Sequence, residues 1–445
     1  MEKSGIYVGL DIGTTSIKVI VAEYLKGQLN IIGVGSERSD GLSRGVVIDI
    51  DHAVKAINRA ITQAEEKASL KIKDVQVGLP ANLLEIEPCS GMIAVNKQGD
   101  GAKEINSQDV MRVTRAALIQ QLPPERQIVD VIPDEFTVDG FDGIKDPRGM
   151  VGVRLEMKGV VYTGPKTILH NTLSCVERAG LHVTDVVVAP LALASLALTD
   201  GEQDFGSVLI DLGGGQATAA VVHDHKLKYT YVDQEGGQFI TKDISVVLNT
   251  SLGNAEKIKR NYGYAAGFLA PKDETFNVEV VGQADPGEFT SEYLAEIIEA
   301  RLTQIFNRLK TVLNDISALQ LPGGIVITGG QAALPGVKDL AEEVFETNVR
   351  LFVPSQMGLR HPSFTQVIGL IEYSAHQSEI VRVVKKAVFP EMELPASISP
   401  ESGRQAETDE LENQVRQEEV SQKKVDRDHK GTFDGIKKFF STFFD

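Results

Sequence analysis

The sequence predicts an α/β protein of two similar lobes facing one cleft, and three stretches carry that prediction. The first is Ile6-Tyr-Val-Gly-Leu-Asp11-Ile-Gly13-Thr14-Thr15-Ser16-Ile-Lys18, a buried strand running into a tight turn. The second, Val208-Leu-Ile-Asp211-Leu-Gly213-Gly214-Gly215-Gln216, repeats strand, Asp and glycine turn. Each turn is followed by two further strand-like runs, 16–23 and 29–34 after the first, 218–223 and 227–232 after the second. An internal repeat on that scale points to two half-molecules of like build. The third stretch is Gly323-Gly-Ile-Val-Ile-Thr328-Gly329-Gly330-Gln331-Ala-Ala-Leu-Pro-Gly336, read as strand, glycine turn and helix N-terminus. That geometry lets backbone pass close to a flat ring or sugar and aims helix N–H groups at a phosphate.

The first turn has a chemistry of its own. Asp11 ends the strand, Gly13 lets the chain bend sharply, and the hydroxyls of Thr14, Thr15 and Ser16 follow. Bare N–H groups and hydroxyls suit an anion, the carboxylate can hold a hydrated metal ion, and Lys18 can neutralise phosphate charge. The turn leads into another strand, whereas a dinucleotide-binding glycine turn leads into a helix.

Composition narrows the classes. A chain of 445 residues exceeds one ordinary core and should hold two or more domains. A net charge of −17 argues against nucleic acid, which needs a clustered basic face. Cys89 and Cys175 fit no metal spacing and read as buried structural thiols in a reducing compartment. The apolar run at the start is interrupted by Asp11 and reads as no signal peptide. The longest apolar run, 186–198, contains Pro190 and is too short to span a bilayer. The expectation is a protein made and kept in the cytoplasm.

The remaining elements follow in order. A helix is expected over 51–67, with Val54, Ile57 and Ile61 on one face, then a strand at 75–79. From 84 to 162 the pattern becomes a small α+β insertion: a helix at 107–120 and extended runs at 128–133, 136–138 and 151–158. It has no catalytic constellation and reads as an interaction surface. A helix at 166–179 and a strand at 183–188 return to the first lobe. Gly236-Gly237 opens a helix, and a second helix from Asn254 closes at Gly263 as a C-cap glycine would. On that helix Glu256 and Lys259 share a face and by themselves read as a solvated ion pair. A long helix spans 290–313. The domain reading is a first lobe of 1–83 and 163–200, an insertion of 84–162, and a second lobe of 201–390 with a smaller subdomain at 234–312.

Three glycine turns in this order, two behind Asp and one Thr-Gly-Gly, resemble the actin/Hsp70/sugar-kinase ATPase superfamily. The resemblance implies an actin-like (ribonuclease H-like) fold of duplicated lobes around a nucleotide cleft, with ATP and Mg²⁺ as ligands. It makes Asp11, Gly13, Thr14, Thr15, Ser16 and Lys18 the first phosphate site, and Asp211, Gly213, Gly214 and Gly215 the second. Asp11 and Asp211 would hold the metal through water. Gly329, Gly330 and Gln331 would line adenosine, with Glu256 and Lys259 flanking base and ribose, and Gly236 and Gly237 would belong to the same cofactor site.

A closer resemblance, to the FtsA family of bacterial cell-division actin homologues, covers nearly the whole chain. It rests on Gly9-Leu-Asp-Ile-Gly-Thr-Thr, Ile132-Pro133, Asp146-Pro147-Arg-Gly149-Met150-Val-Gly152, Glu235-Gly-Gly, Ile258-Lys259-x-x-Tyr262-Gly263 and Thr328-Gly-Gly-x-Ala-x-Leu-Pro-Gly336. This implies self-polymerisation, tethering of FtsZ (Z-ring) filaments to the inner face of the cytoplasmic membrane at the division site, and other division partners at the insertion. The FtsZ C-terminal tail would dock near the long helix, with Arg301 and Asn307 carried over as contacts.

The end of the chain is legible without the resemblance. Residues 391–430 contain no Phe, Tyr or Trp and are rich in Glu, Gln, Ser and Asp, so they read as a disordered linker. Within 431–445, Phe433, Ile436, Phe440 and Phe443 fall at helical spacing, Phe439 and Phe444 widen the stripe, and Lys437 and Lys438 lie off its centre. Such a helix fits a membrane interface better than a groove on the protein's own surface. Each aromatic contributes at most about 1.5–3 kcal/mol, so one short helix containing Gly435 binds reversibly and a filament of many gains avidity.

Hydrolysis has weaker support. An ATPase needs a polar group to orient the attacking water. The inter-lobe run Val187-Val-Ala189-Pro190-Leu191-Ala-Leu-Ala offers no carboxylate or amide for that task. The expectation is weak or slow turnover at most. Two other readings stay open: a small-molecule kinase of the same superfold, which lacks a sugar-binding signature here, and an actin-like adaptor of a pilus or secretion system, against which the Phe-rich terminal helix argues.

Overall fold

The structure is a computed structural model that describes residues 5–25, 27–96, 101–119 and 122–389. The linker and the Phe-rich segment expected over 391–445 lie outside the described residues.

The chain opens with β1 (Gly5–Ile12), β2 (Ser16–Leu25) and β3 (Gln28–Arg38), an antiparallel meander. A short hairpin, β4 (Leu42–Ser43) and β5 (Val46–Val47), leads to α1 (Ile50–Ala68) and β6 (Asp74–Leu79). Asp49 caps α1 by accepting from the His52 N–H. Apolar side chains at Ile57 and Ile61 bury one face of α1 against β3, and at Gly35 the two backbones nearly touch. A Cβ there would collide with the Ala60 carbonyl, which cannot give way as a side chain can. Gly35→Ala is therefore expected to destabilise the protein by about 3 kcal/mol, seen as a lower denaturation midpoint. Gly253→Ala, at a site with no neighbour within 4 Å, should leave that midpoint unchanged or slightly raised.

The insertion contains β7 (Glu85–Ala94), β8 (Lys103–Glu104), α2 (Ser107–Ala117), β9 (Arg126–Val138), β10 (Phe141–Ile144), β11 (Val151–Gly152) and β12 (Arg154–Pro165). Its main sheet has the order β10-β9-β12-β7. Three details depart from the sequence reading. Strand β7 was not expected, because it is an edge strand whose residues are mostly exposed and include Pro88. The two runs at 128–133 and 136–138 form one strand through Pro133. A register shift beside Pro133 passes over Asp134, and β10 pairs only with the far end of β9, so the strand is unpaired on that side at the proline. Helix α2 ends at Ala117 instead of 120, a residue outside those described.

The first lobe resumes with α3 (Lys166–Arg178), β13 (His182–Val188), α4 (Ala189–Ala197) and α5 (Asp200–Phe205). The second lobe then repeats the opening: β14 (Ser207–Leu212), β15 (Ala217–His223) and β16 (Lys226–Asp233). It continues through α6 (Gly237–Val247), α7 (Leu252–Tyr262), β17 (Thr275–Val278), β18 (Gly287–Thr290), α8 (Ser291–Asp315), β19 (Ile325–Thr328), α9 (Val337–Phe345) and β20 (Val349–Leu351). The first sheet runs β13-β6-β1-β2-β3 and the second β20-β19-β14-β15-β16, strand for strand the same order. In both, the Asp-bearing strand pairs in parallel with the fourth strand of its sheet (β6 or β19) and antiparallel with the strand after the glycine turn (β2 or β15). The duplication expected from two short motifs thus extends to the whole sheet.

Gly263 ends α7, as expected, for a different reason. Its backbone is extended (φ −78, ψ 134), not left-handed. Glycine is needed because a Cβ would collide with the Lys259 carbonyl and lie 2.9 Å from Ile298 Cδ1. Helix α9 starts only at Val337, after a short 3₁₀ turn over Gly330–Ala333.

The last two helices correct the expected boundary at 390. Helix α10 (Thr365–His376) has buried residues on all sides and packs on β1, β6 and α4 of the first lobe. Helix α11 (Glu379–Val388) puts Ile380 and Val384 into the apolar core of the insertion. An apolar helix such as α10 must be covered on every face, and only the first sheet and α4 together provide that cover.

Candidate nucleotide cleft

The two Asp-bearing strands end at the floor of a cleft between the lobes. On the first side, β1 and β2 pair Asp11 with Lys18 and Ile12 with Ile17, leaving 13–15 as the turn. Lys18 Nζ donates to Asp11 Oδ2 at 3.2 Å, and both side chains are buried. On the second side Asp211 pairs with Thr218, and the Gly213 N–H donates to the Gln216 carbonyl at 3.0 Å. The two turns share one construction. A Cβ at Gly13 would lie 2.8 Å from the Ser16 carbonyl, and one at Gly213 2.9 Å from the Gln216 carbonyl.

The turns also face each other closely. A Cβ at Gly214 would overlap the Thr15 side chain, and one at Gly215 would overlap the Thr14 side chain. Thr14 Oγ1 in turn accepts from the Gly45 N–H at 2.8 Å, which ties the β4–β5 hairpin to the first turn. Arg44 of that hairpin reaches the second lobe, donating to Gln234 Oε1 at 3.1 Å. Helix α6 docks on the second turn through Gly237 N–H to the Gly213 carbonyl, 3.0 Å, and Gln238 N–H to the Gly214 carbonyl, 2.8 Å. Gly236 and Gly237 are required there, since side chains would meet the second turn and Gln331 respectively.

Between the walls lies a cavity of about 540 Å³, within the range of small-molecule sites. Its lining includes Asp11, Gly13, Thr14, Thr15, Ser16, Lys18, Asp211, Gly213, Gly214, Gly215, Gly237, Glu256, Lys259, Gly329, Gly330 and Gln331. The sequence-derived residues thus converge, with Gly236 supporting from behind. The solvated-pair reading of Glu256 and Lys259 does not hold. Lys259 is 3% exposed, and its ammonium donates to the Gly237 carbonyl at 3.0 Å and Thr241 Oγ1 at 2.8 Å, with Glu256 Oε2 at 2.8 Å. Burial holds the Lys259 ammonium below its usual range, opposed by Glu256. Burial also pushes the Glu256 carboxyl up, but Lys259, Thr241 and Arg260 together bring it below its usual range. The pair fastens the α6–α7 corner that shapes this wall.

Asp211 has the most perturbed charge in the cleft. Desolvation by the surrounding walls, with the Asp11 carboxylate adding repulsion and Lys18 opposing, raises its carboxyl to about 6. Two carboxylates that feel each other's charge, one of them paired with Lys18, suit a hydrated divalent cation. Among the described residues no group of three or more His, Cys, Asp or Glu could hold a metal by itself. The remaining ligands would be water and the anion, the manner in which Mg²⁺ is usually held.

Several lining residues were not anticipated: Gly45, Gln216, Gln238, Arg260, His361 and Gln366. The Ser-Arg-Gly turn at 43–45 was a usable signal for the first, and Gln216 follows the second glycine turn directly. His361 comes from the segment before α10 and Gln366 from its first turn, neither of which carries a motif. From the inter-lobe run, Ala189, Pro190 and Leu193 reach the cleft, all without a carboxylate or amide.

Arg301 and Asn307 lie apart from each other on α8. Arg301 is held inward by Asp243, with donor–acceptor distances of 2.5 and 2.9 Å, and by Glu235 at 2.8 Å. Asn307 lines an open groove with Ala300, Thr303, Gln304, Arg308 and Thr311.

Comparison with known proteins places this architecture. The Enterococcus faecalis "Cell division protein FtsA" is 55% identical over 446 residues, covering 100% of both chains. The chain belongs to the FtsA family of cell division proteins. The Bacillus subtilis member is 42% identical, again over 100% of both chains. A family model described as cell division protein FtsA matches residues 208–369 of this FtsA-family chain, and one described as the SHS2 domain inserted in FtsA matches 82–163. The second match coincides with the insertion found here. Among solved structures, a PilM–PilN type IV pilus biogenesis complex aligns with TM-score 0.56 at 16% identity, over 84% of this chain and 99% of that one. MreB5 of Spiroplasma citri bound to ADP aligns with TM-score 0.51 at 12% identity, over 86% and 98%. The fold is therefore actin-like, with the SHS2 domain as its insertion.

Proposed function

We propose that this FtsA-family chain binds ATP with Mg²⁺, polymerises, and tethers FtsZ filaments to the inner face of the cytoplasmic membrane during division. The observation that carries the nucleotide part is the meeting of two like turns: Asp11 and Asp211 side by side, with Thr14 and Thr15 against Gly214 and Gly215. Thr14, Thr15, Ser16 and the N–H groups of the second turn would receive the phosphates, while Asp11 and Asp211 would hold the hydrated metal. Gly329, Gly330 and Gln331 would border the nucleoside. Bound Mg²⁺ would neutralise phosphate charge. The neighbouring MreB5 structures carry ADP in one case and AMPPNP in another, which supports the same ligand class here.

The inter-lobe run favours holding ATP over spending it. Ala189, Pro190 and Leu193 present no group to orient water. Of the carboxylates in the lining, Asp11 is paired with Lys18 and Glu256 with Lys259. ATP binding would then chiefly set lobe closure and filament state.

Attachment rests on the tail. No helix among the described residues is long and apolar enough to cross a membrane. The amphipathic segment with Phe433, Ile436, Lys437, Phe439, Phe440, Phe443 and Phe444 would bind peripherally. The FtsZ tail would dock along α8, near Asn307 and Arg301, and other division proteins and neighbouring copies would use the insertion and lobe surfaces. Flotation on anionic vesicles tests the attachment: the full chain should float, more so with ATP, and a 1–430 chain should stay in the soluble fraction. Equal flotation of the two chains would sink the tethering assignment. A kinase of small molecules would instead phosphorylate an added substrate without vesicles.

A further inference from the structure

The Asp146-Pro147-Arg148-Gly149 motif and a buried lysine far away in sequence converge on one helix, α11. At its N-terminal end Arg148 Nη1 donates to Glu379 Oε1 at 3.0 Å, while Arg148 is clamped by Asp146 at 2.7 Å. One face of α11 fills the insertion core with Ile380 and Val384 beside Val110, Val113 and Val131. Farther along, Lys385 is 5% exposed and carries its ammonium between two buried carboxylates. Nζ lies 3.0 Å from Asp185 Oδ1 on β13 of the first lobe and 3.2 Å from Asp130 Oδ2 on β9 of the insertion. The other oxygen of Asp185 accepts from Ser374 Oγ and Gln377 Nε2, each at 3.0 Å, which fixes the α10–α11 corner to the same carboxylate.

Strand β13 runs directly into α4, whose Ala189 and Pro190 line the cleft. Helix α11 is also the last described element before the tail segment. Lys385 therefore stands where three parts meet: the end of the chain, the insertion, and the strand that reaches the cleft floor.

The geometry points to α11 as a coupling strut that sets the position of the insertion against the first lobe. The coupling is independent of what the tail binds and of what fills the cleft. A buried ammonium shared by two carboxylates resists sliding, because separating either partner leaves a charge unpaired in the interior. The Arg148–Glu379 pair adds a surface tie between the other end of the helix and the insertion, Glu379 being 76% exposed. The Pro-Arg-Gly motif is then part of this intramolecular junction, whatever else the insertion touches.

Hydrogen exchange on the full chain in solution tests the strut. Arg148→Ala should raise exchange about tenfold in α11 and in β9 and β12 of the insertion, with β14–β16 unchanged. Glu379→Gln, which keeps the Asp146 clamp on Arg148, should reproduce the faster exchange in α11 and the insertion. Lys385→Met should raise exchange in the insertion and also across β13 and the start of α4. If Lys385→Met loosens the whole chain, Arg148→Ala decides the matter. Faster exchange confined to α11, spread equally over both lobes in Arg148→Ala, or absent in Glu379→Gln overturns the proposal.

Discussion

Gly214→Val is expected to lower ATP affinity by about a hundredfold while both lobes stay folded. The reason is steric and local. The first added carbon already overlaps the Thr15 side chain across the cleft, so the two phosphate turns must move apart. The N–H groups and hydroxyls that converge on one anion then cannot all reach it. The three atoms nearest the added carbon all belong to Thr15 of the opposite lobe, so the strain falls first across the cleft. Equilibrium titration with a fluorescent ATP analogue reads the affinity, and circular dichroism checks that the fold persists. Near-wild-type affinity in a folded Gly214→Val chain would contradict the face-to-face arrangement.

The second large effect concerns Asp211. Its carboxyl is raised to about 6 by desolvation first, and by Asp11 second, against an ordinary value of 3.8. For an acid raised in the folded state, ionisation costs stability above the folded value, and that cost fades as pH falls through about 6 toward 4. Asp211→Asn should therefore stabilise the ligand-free protein above pH 6, with the advantage gone near pH 4. Binding of a cation needs the ionised form and so has the opposite sign. In the wild type, the tightening of ATP binding by Mg²⁺ should weaken by up to about tenfold for each pH unit below 6. In Asp211→Asn most of that tightening should be absent already at pH 7.5, and the remainder should not vary between pH 7 and 5. Calorimetric titrations with and without Mg²⁺ across that range, together with thermal melts of the free protein, measure both signs.

The sequence made the turns legible because their residues answer to local rules. Alternating apolar strands, an Asp at the strand end and glycines where a Cβ would strike a carbonyl can all be read within a dozen residues. The repeat between Ile6 and Val34 and between Val208 and Val232 extended that reading to two lobes, and the strand order agrees with it. The family resemblance added the roles, and the cleft brings Glu256, Lys259 and Gly329 to the same cavity as the two turns. What stayed hidden depends on distant partners. Strand β7 is exposed on much of both faces and carries a proline, so its pattern resembles a loop until β12 is beside it. Pro133 reads as a strand end until the outer ladder is seen to begin only at Phe136. Helices α10 and α11 read as the end of the second lobe, because nothing local says that Lys385 pairs with Asp130 and Asp185. His361 and Gln366 belong to the cleft for the same reason: the return of the chain to the first lobe delivers them.

The central claim is a clamp built to hold ATP and to turn it over slowly. The most direct measurement mixes the full chain in excess with trace labelled ATP and Mg²⁺ at pH 7.5, then follows bound nucleotide and product in one turnover. ATP is expected to bind in a Mg²⁺-dependent way, with most of it still ATP after minutes. Failure to bind, or conversion at the roughly 1–100 per second usual for kinases, would contradict it.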